Sequence, residues 1–175
     1  VAVADGSSVG MRVVSWLGRG DGTFQSPRFS GSFIGGPGLA VADVDRDGRL
    51  DLVTTGAGGW VGVHLGHGDG TFQSPEGYSV IQGPAEVAVG DFNRDGALDV
   101  VTPIANGQGI MAVLLGKGDG TLQPPRYFST QGAQPFFHFP TAVAVADLNA
   151  DGQLDVAVTD PGVSELALLF GNGDG

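Results

Sequence analysis

The sequence predicts an all-β chain assembled as an array of repeated four-stranded sheets. Two motifs interleave along its 175 residues and return with a period near 50. The segments between them are short, rich in Val, Leu and Ala, and bounded by Gly and Asp. No segment sustains a helical period. A strand-rich period of this length points to a propeller or a related array.

Within one repeat four strands are expected. The first, at Leu39–Asp43, Val87–Asp91 and Val143–Asp147, alternates Val or Leu with Ala or Gly. Small residues on one side suit a crowded innermost strand with neighbours on both faces. An acidic loop follows, then a second strand at Asp51–Thr55, Asp99–Pro103 or Asp155–Thr159. The third, at Trp60–Leu65, Ile110–Leu115 or Glu165–Phe170, runs into an Asp-Gly turn, a strong hairpin signal. That turn belongs to the second motif, read at Gly18–Pro27, Gly66–Pro75, Gly116–Pro125 and Gly171–Gly175, with successive copies 48, 50 and 55 residues apart. The fourth strand is expected to start at Thr23, Thr71 or Thr121. Its prolines (Pro27, Pro75, Pro124, Pro125) suit an outer edge, where a missing N–H is harmless.

The acidic loops carry the chemistry. They are Asp43-Val-Asp45-Arg-Asp47-Gly48-Arg49-Leu-Asp51, Asp91-Phe-Asn93-Arg-Asp95-Gly96-Ala97-Leu-Asp99 and Asp147-Leu-Asn149-Ala-Asp151-Gly152-Gln153-Leu-Asp155. Each sets oxygen-bearing side chains at positions 1, 3, 5 and 9, with Gly at position 6 for a sharp turn. The backbone carbonyl at position 7 (Arg49, Ala97, Gln153) is free to point inward as a further ligand. Such a loop is a cage for a hard cation, and Ca²⁺, with six to eight oxygen ligands, is the expected occupant of all three. The chain has no Cys and the loops hold no His, which disfavours zinc and copper. Asp, Asn and Gly are also ordinary turn formers, but three copies that each keep the position-9 Asp argue for more than a solvated turn. An EF-hand is excluded, because position 12 is Thr54, Thr102 or Val158 and the flanks are strands.

Charge follows from the same loops. The formal net charge is −11, from 19 acidic and 8 basic residues, and ten of the carboxylates lie in the three loops. No basic stripe exists, so nucleic acid is not an expected partner. No run of 18 apolar residues marks a membrane span. Gly, at 32 residues, is far above ordinary usage, yet it is periodic and reads as turn chemistry. There is neither a starting Met nor a signal peptide, so the chain reads as a mature or excised segment. Weak cages of this kind suit millimolar extracellular Ca²⁺ better than the cytosol. With no G-x-S-x-G elbow, no Cys nucleophile and the paired carboxylates assigned as ligands, the expectation is a non-enzyme.

On these two motifs the chain resembles the FG-GAP/VCBS repeats, the units of the integrin α-subunit type of β-propeller, and the resemblance covers essentially its whole length. It implies a radial array of four-stranded blades with Ca²⁺ held between the first and second strands. It also implies an exported protein, at the cell surface or beyond it, engaged in adhesion, ligand binding or scaffolding. Seven blades are frequent in such proteins, whereas this chain reads as about half a ring. The expected division is a partial blade over 1–36, blades over 37–84 and 85–140, and a partial blade over 141–175. The expected partners are a protein or glycan ligand, or other copies joined through open blade edges. The rival reading is an accessory domain of a larger secreted enzyme.

Three other features bear on function. Arg19-Gly20-Asp21 spells an adhesion tripeptide, but Gly and Asp belong to the template and position 19 is His67, Lys117 or Asn172 in the other copies. His64, His67 and His138 are scattered and suggest no metal site. The interval Asp119–Asp147 is 28 residues against 22 in the other two copies, and the surplus carries Gln134-Pro135-Phe136-Phe137-His138-Phe139-Pro140. Three phenylalanines in four positions read either as a plug between blades or as a contact for a partner or glycan.

Overall fold

The computed structural model describes residues 2–5, 12–32, 35–56, 58–130 and 138–175. Strands β1 (Ala2–Asp5), β2 (Arg12–Ser15) and β3 (Arg28–Ser30) form a first sheet. The second holds β4 (Leu39–Ala42), β5 (Asp51–Gly56), β6 (Trp60–His64) and β7 (Glu76–Ser79). The third holds β8 (Ala88–Gly90), β9 (Asp99–Ile104), β10 (Ile110–Leu114) and β11 (Arg126–Ser129). The fourth holds β12 (Ala142–Ala146), β13 (Asp155–Asp160) and β14 (Glu165–Leu169). Each sheet is an antiparallel meander in chain order, and the described residues contain no helix. These are all-β, propeller-type blades, and among the described residues they do not close a ring.

The register repeats from sheet to sheet. Val41 faces Leu52, Val89 faces Val100 and Val145 faces Val156 across the first two strands. Strands β5 and β9 are buried at all six positions, because each lies mid-sheet and each sheet is covered on both sides. Val53, Val61 and Val63 of the second sheet pack against Val87, Val100 and Leu114 of the third. Phe92, Val101, Met111 and Val113 then meet Val156 and Val158 of the fourth. Each fully buried Val or Leu contributes roughly 1.5–3 kcal/mol. The first strands lie side by side, β4 against β8 and β8 against β12, which is why they carry Ala and Gly. A Cβ on Gly90 would stand 2.6 Å from Leu154 Cδ1.

A small joint recurs between sheets. The closing glycine of three Asp-Gly turns receives a leucine from the preceding blade: Leu17 on Gly70, Leu65 on Gly120, Leu115 on Gly175. A Cβ at these glycines would lie 2.7, 2.8 and 2.7 Å from a leucine methyl carbon.

The fourth strands begin five residues later than the sequence suggests, at Arg28, Glu76 and Arg126 rather than Thr23, Thr71 and Thr121. The intervening stretch makes only single bridges, Gly18 with Phe24, Gly66 with Phe72 and Gly116 with Leu122. The turn tightens first, since Asp21, Asp69 and Asp119 each accept both the N–H and the hydroxyl of the Thr two residues on. Pro27, Pro75 and Pro125 therefore stand just before the outer strand rather than within it.

Of the insertion, Phe136 and Phe137 lie outside the described residues, as do Gln134 and Pro135. His138 is buried and bridges to Gly107 and Gln108 in the β9–β10 connection, while Phe139 is 43% exposed.

Candidate metal centre

Each acidic loop joins a first strand to a second, so the sheet itself delivers position 1 and position 9 to the same place. In the first loop, carboxylate oxygens of Asp43, Asp45 and Asp51 lie within 4.8 Å of one another. Ligands on opposite sides of a Ca²⁺ ion, each at about 2.4 Å, would be separated by that span.

The loop is held open from within by backbone donors. Asp43 accepts the N–H of Asp47 at 3.1 Å and of Gly48 at 2.9 Å, while Asp45 accepts Asp47 N–H at 3.1 Å. The second loop repeats this: Asp95 N–H to Asp91 at 3.2 Å and to Asn93 at 3.0 Å, and Gly96 N–H to Asp91 at 2.9 Å. So does the third: Asp151 N–H to Asp147 at 3.1 Å and to Asn149 at 2.9 Å, and Gly152 N–H to Asp147 at 2.8 Å. Position 6 is left-handed, with φ near 83° at Gly48 and Gly96 and 81° at Gly152. Position 4 is left-handed as well, at Arg46 (64°), Arg94 (59°) and Ala150 (61°). A non-glycine residue held there costs of order 1–3 kcal/mol, so the surrounding hydrogen bonds must over-determine the turn.

Position 9 does more than line the cage. Asp51, Asp99 and Asp155 are fully buried. One oxygen of each accepts the N–H of position 2, from Val44, Phe92 or Leu148 at 2.8–2.9 Å. The other accepts the N–H of the glycine that opens the next turn motif, Gly66, Gly116 or Gly171, at 2.8 Å. Those glycines permit the close approach. A Cβ on Gly66, Gly116 or Gly171 would sit 2.1–2.2 Å from the carbonyl oxygen of Leu50, Leu98 or Leu154. Each carboxylate oxygen still has a lone pair free for a cation.

The position-5 residues are placed differently. Asp47 accepts the backbone N–H of Arg49 at 2.8 Å and its guanidinium Nε at 2.7 Å. Asp95 and Asp151 accept Ala97 and Gln153 N–H at 2.7 and 2.8 Å, and each also takes an amide N–H from Asn93 or Asn149 at 2.9 Å. Asp47 thus sits beside the oxygen cluster rather than within it, tied to a side chain that the other two loops lack.

The electrostatics follow this layout. Burial, then repulsion from Asp51, Asp47 and Asp43, raises the carboxyl of Asp45 above its ordinary range, against the Asp47 N–H that lowers it. Burial likewise raises Asp99, opposed by the N–H groups of Gly116 and Phe92. Arg49 holds Asp47 below the ordinary range. Asp95 is lowered first by Ala97 N–H, then by the Asn93 side chain and by Arg46.

Asp21 of the Arg-Gly-Asp tripeptide is engaged with Thr23, like Asp69 and Asp119 with theirs, as a template position would be. The histidines do not converge. His64 is buried with Nε2 3.1 Å from Thr54 Oγ1, His67 lies in an exposed turn, and His138 Nδ1 pairs with Asp160 Oδ2 at 2.8 Å. This buried pair has no signature in the sequence, because it joins the insertion to a hairpin 22 residues away.

Family comparison agrees with the repeat geometry. A model of FG-GAP-like repeats matches residues 1–54 and 43–102, and a model of the FG-GAP repeat matches residues 139–175. No curated protein matches. Among solved structures, an Agrocybe aegerita lectin, determined for its specific recognition of non-reducing terminal N-acetylglucosamine, superposes with a TM-score of 0.63 at 21% identity. The match covers 100% of this chain and 50% of the lectin, so the chain spans about half the lectin's length. The Photorhabdus luminescens Tc holotoxin pore matches with a TM-score of 0.55 at 18% identity, over 96% of this chain and 8% of that one. At such identities these likenesses show the fold alone. Strand order, loop geometry and family match agree, and the chain belongs to the FG-GAP repeat family.

Proposed function

We propose that this chain is a calcium-stabilised binding module of an extracellular protein, with Ca²⁺ in each of its three acidic loops and a glycan or protein as its ligand. The observation that carries the reading is the convergence of Asp43, Asp45 and Asp51 oxygens within 4.8 Å. The donor set fits: all side-chain donors are oxygen, no thiolate or imidazole intrudes, and the hydrogen-bond framework is the same in all three loops. Asp43, Asp45, Asp51 and the Arg49 carbonyl would hold the first ion, with Asp47 joining them only on release from Arg49. Asp91, Asn93, Asp95, Asp99 and the Ala97 carbonyl would hold the second, and Asp147, Asn149, Asp151, Asp155 and the Gln153 carbonyl the third.

Bound calcium turns crowded carboxylates from a cost into a clamp between two core strands. At a Kd of roughly 10⁻⁴ M and ~1 mM Ca²⁺, each occupied loop stabilises the fold by about 1.4 kcal/mol. The fold likeness to a lectin supports a carbohydrate as ligand, and the engagement of the loop carboxylates by their own backbone supports binding rather than catalysis.

Calorimetric titration of chelator-stripped protein with Ca²⁺ tests the metal reading, with three equivalents expected. Melting with and without EDTA at fixed ionic strength should show a loss of roughly 8–16 °C on chelation, from about 4 kcal/mol in all. No heat and an unmoved melt would refute it. A glycan array probed with and without Ca²⁺ tests the ligand.

A further inference from the structure

Two arginines leave their own acidic loop and reach into the loop of the next blade. Arg94, at position 4 of the second loop, donates from Nη2 to the carbonyl oxygen of Gly152, position 6 of the third. Its side chain also runs past Gly173 in the neighbouring turn, where a Cβ would lie 3.8 Å from Arg94 Cδ. Arg46, at position 4 of the first loop, crosses to the next blade at the same two stations one blade earlier, by proximity rather than by a hydrogen bond. Its guanidinium lies against Gly96 and Gly118, with Cζ 2.8 Å from where a Gly118 Cβ would be. The same two stations, position 6 of the loop and the middle glycine of the Asp-Gly turn, receive the arginine at both junctions. Ala150 occupies position 4 of the third loop, so among the described residues the series stops there.

Position 4 lies between two ligand positions. Its left-handed backbone, at 64° and 59°, is what aims each side chain out of its own loop and across the junction. A cation that fixes residues 3 and 5 therefore fixes the direction of the arginine, and the arginine fixes the turn of the following loop.

We infer that Arg46 and Arg94 couple the three loops, so that filling one cage raises the affinity of the next for its ion. The inference rests on the calcium reading above and adds to it a reciprocal coupling between each loop and the next. The guanidinium charge itself is present whether or not the preceding loop is loaded, so it sets the absolute affinity. Only the ordering of the arginine changes on loading, and that change carries the coupling.

The experiment is a double-mutant cycle read loop by loop by hydrogen exchange of the full chain, titrated with Ca²⁺. Protection of the segment Asp151–Leu154 reports the third loop. Asp91→Asn weakens the second cage while keeping an oxygen to accept the Asp95 and Gly96 N–H groups. In the parent chain it should raise the Ca²⁺ concentration for half-protection of the third loop about 5-fold or more, the lower range of measured coupling. In an Arg94→Ala background it should leave that concentration unchanged, with three ions still bound. Arg94→Lys keeps the charge without the forked donor and should also uncouple the loops. An equal shift in the parent chain and in the Arg94→Ala background, all loops still protected, overturns the coupling and leaves calcium binding standing. No protection of any loop by Ca²⁺ overturns the calcium reading and the coupling with it. Arg94 is exposed, so Arg94→Ala should retain the far-ultraviolet spectrum and melt of the parent chain in EDTA, which confirms that the comparison is between folded proteins.

Discussion

Replacing Asp99 with Ala removes an acceptor that two separated backbone segments share. Asp99 is fully buried, and its two oxygens take the N–H of Phe92 and the N–H of Gly116, each at 2.8 Å. Hydrogen bonds to a charged group are worth about 1.5–3 kcal/mol each, and their loss here strands two buried donors. Against this stands the burial that raises the Asp99 carboxyl and so opposes its ionisation. The net expectation is a loss of about 3–5 kcal/mol, or roughly 6–20 °C in melting temperature for a chain of this size. Asn preserves the shape and one acceptor but turns an amide N–H towards a donor, so Asp99→Asn should fall between Ala and the parent. The assay is urea and thermal unfolding, each run with 1 mM Ca²⁺ and with EDTA. The loss must persist in EDTA, because the two N–H bonds do not involve a cation. An Ala variant that loses less than about 1 kcal/mol in EDTA would show that the buried carboxylate is not a structural staple.

Three further expectations follow from the same geometry. Gly116→Ala places a Cβ 2.1 Å from Leu98 O and should cost about 2 kcal/mol or more by chemical denaturation, whereas Gly18→Ala, with nothing within 4 Å, should cost less than about 1 kcal/mol. Burial lowers the pKa of His64, so its neutral ring stabilises the fold above the ordinary imidazole value of 6.5, and that contribution is lost as pH falls through the folded value. Melts in EDTA from pH 7.5 to 5 should therefore decline more steeply for the parent than for His64→Gln, and parallel curves would count against the assignment. His138→Ala leaves buried Asp160 without its imidazole partner and should cost about 3–5 kcal/mol, with faster amide exchange at Phe139 as the local signature.

The second and third strands are legible in the sequence to within a residue or two, because each is a short stretch rich in Val, Leu and Ala bounded by an Asp or by turn residues, as at Asp99–Ile104. The acidic loops are equally plain, since the spacing of their oxygen-bearing side chains is local. Contacts that cross blades are not. The double duty of Asp51, Asp99 and Asp155 depends on a glycine 15–17 residues away, brought alongside only when the sheet forms. Arg46 and Arg94 look like solvated turn residues until the left-handed backbone at position 4 aims them at the neighbouring blade. The late start of the outer strands escapes a reading by propensity, since Thr and Phe favour strands while the Asp-Thr turn holds that stretch back for one more reversal.

The leucine that seats on a bare glycine at three junctions, Leu17 on Gly70, Leu65 on Gly120 and Leu115 on Gly175, gives the two middle blades the same plug and the same socket. Units with matching fittings are interchangeable. A gene that gains or loses a whole repeat keeps every remaining seam intact, so the length of such an array can drift by duplication and deletion without any interior having to be redesigned.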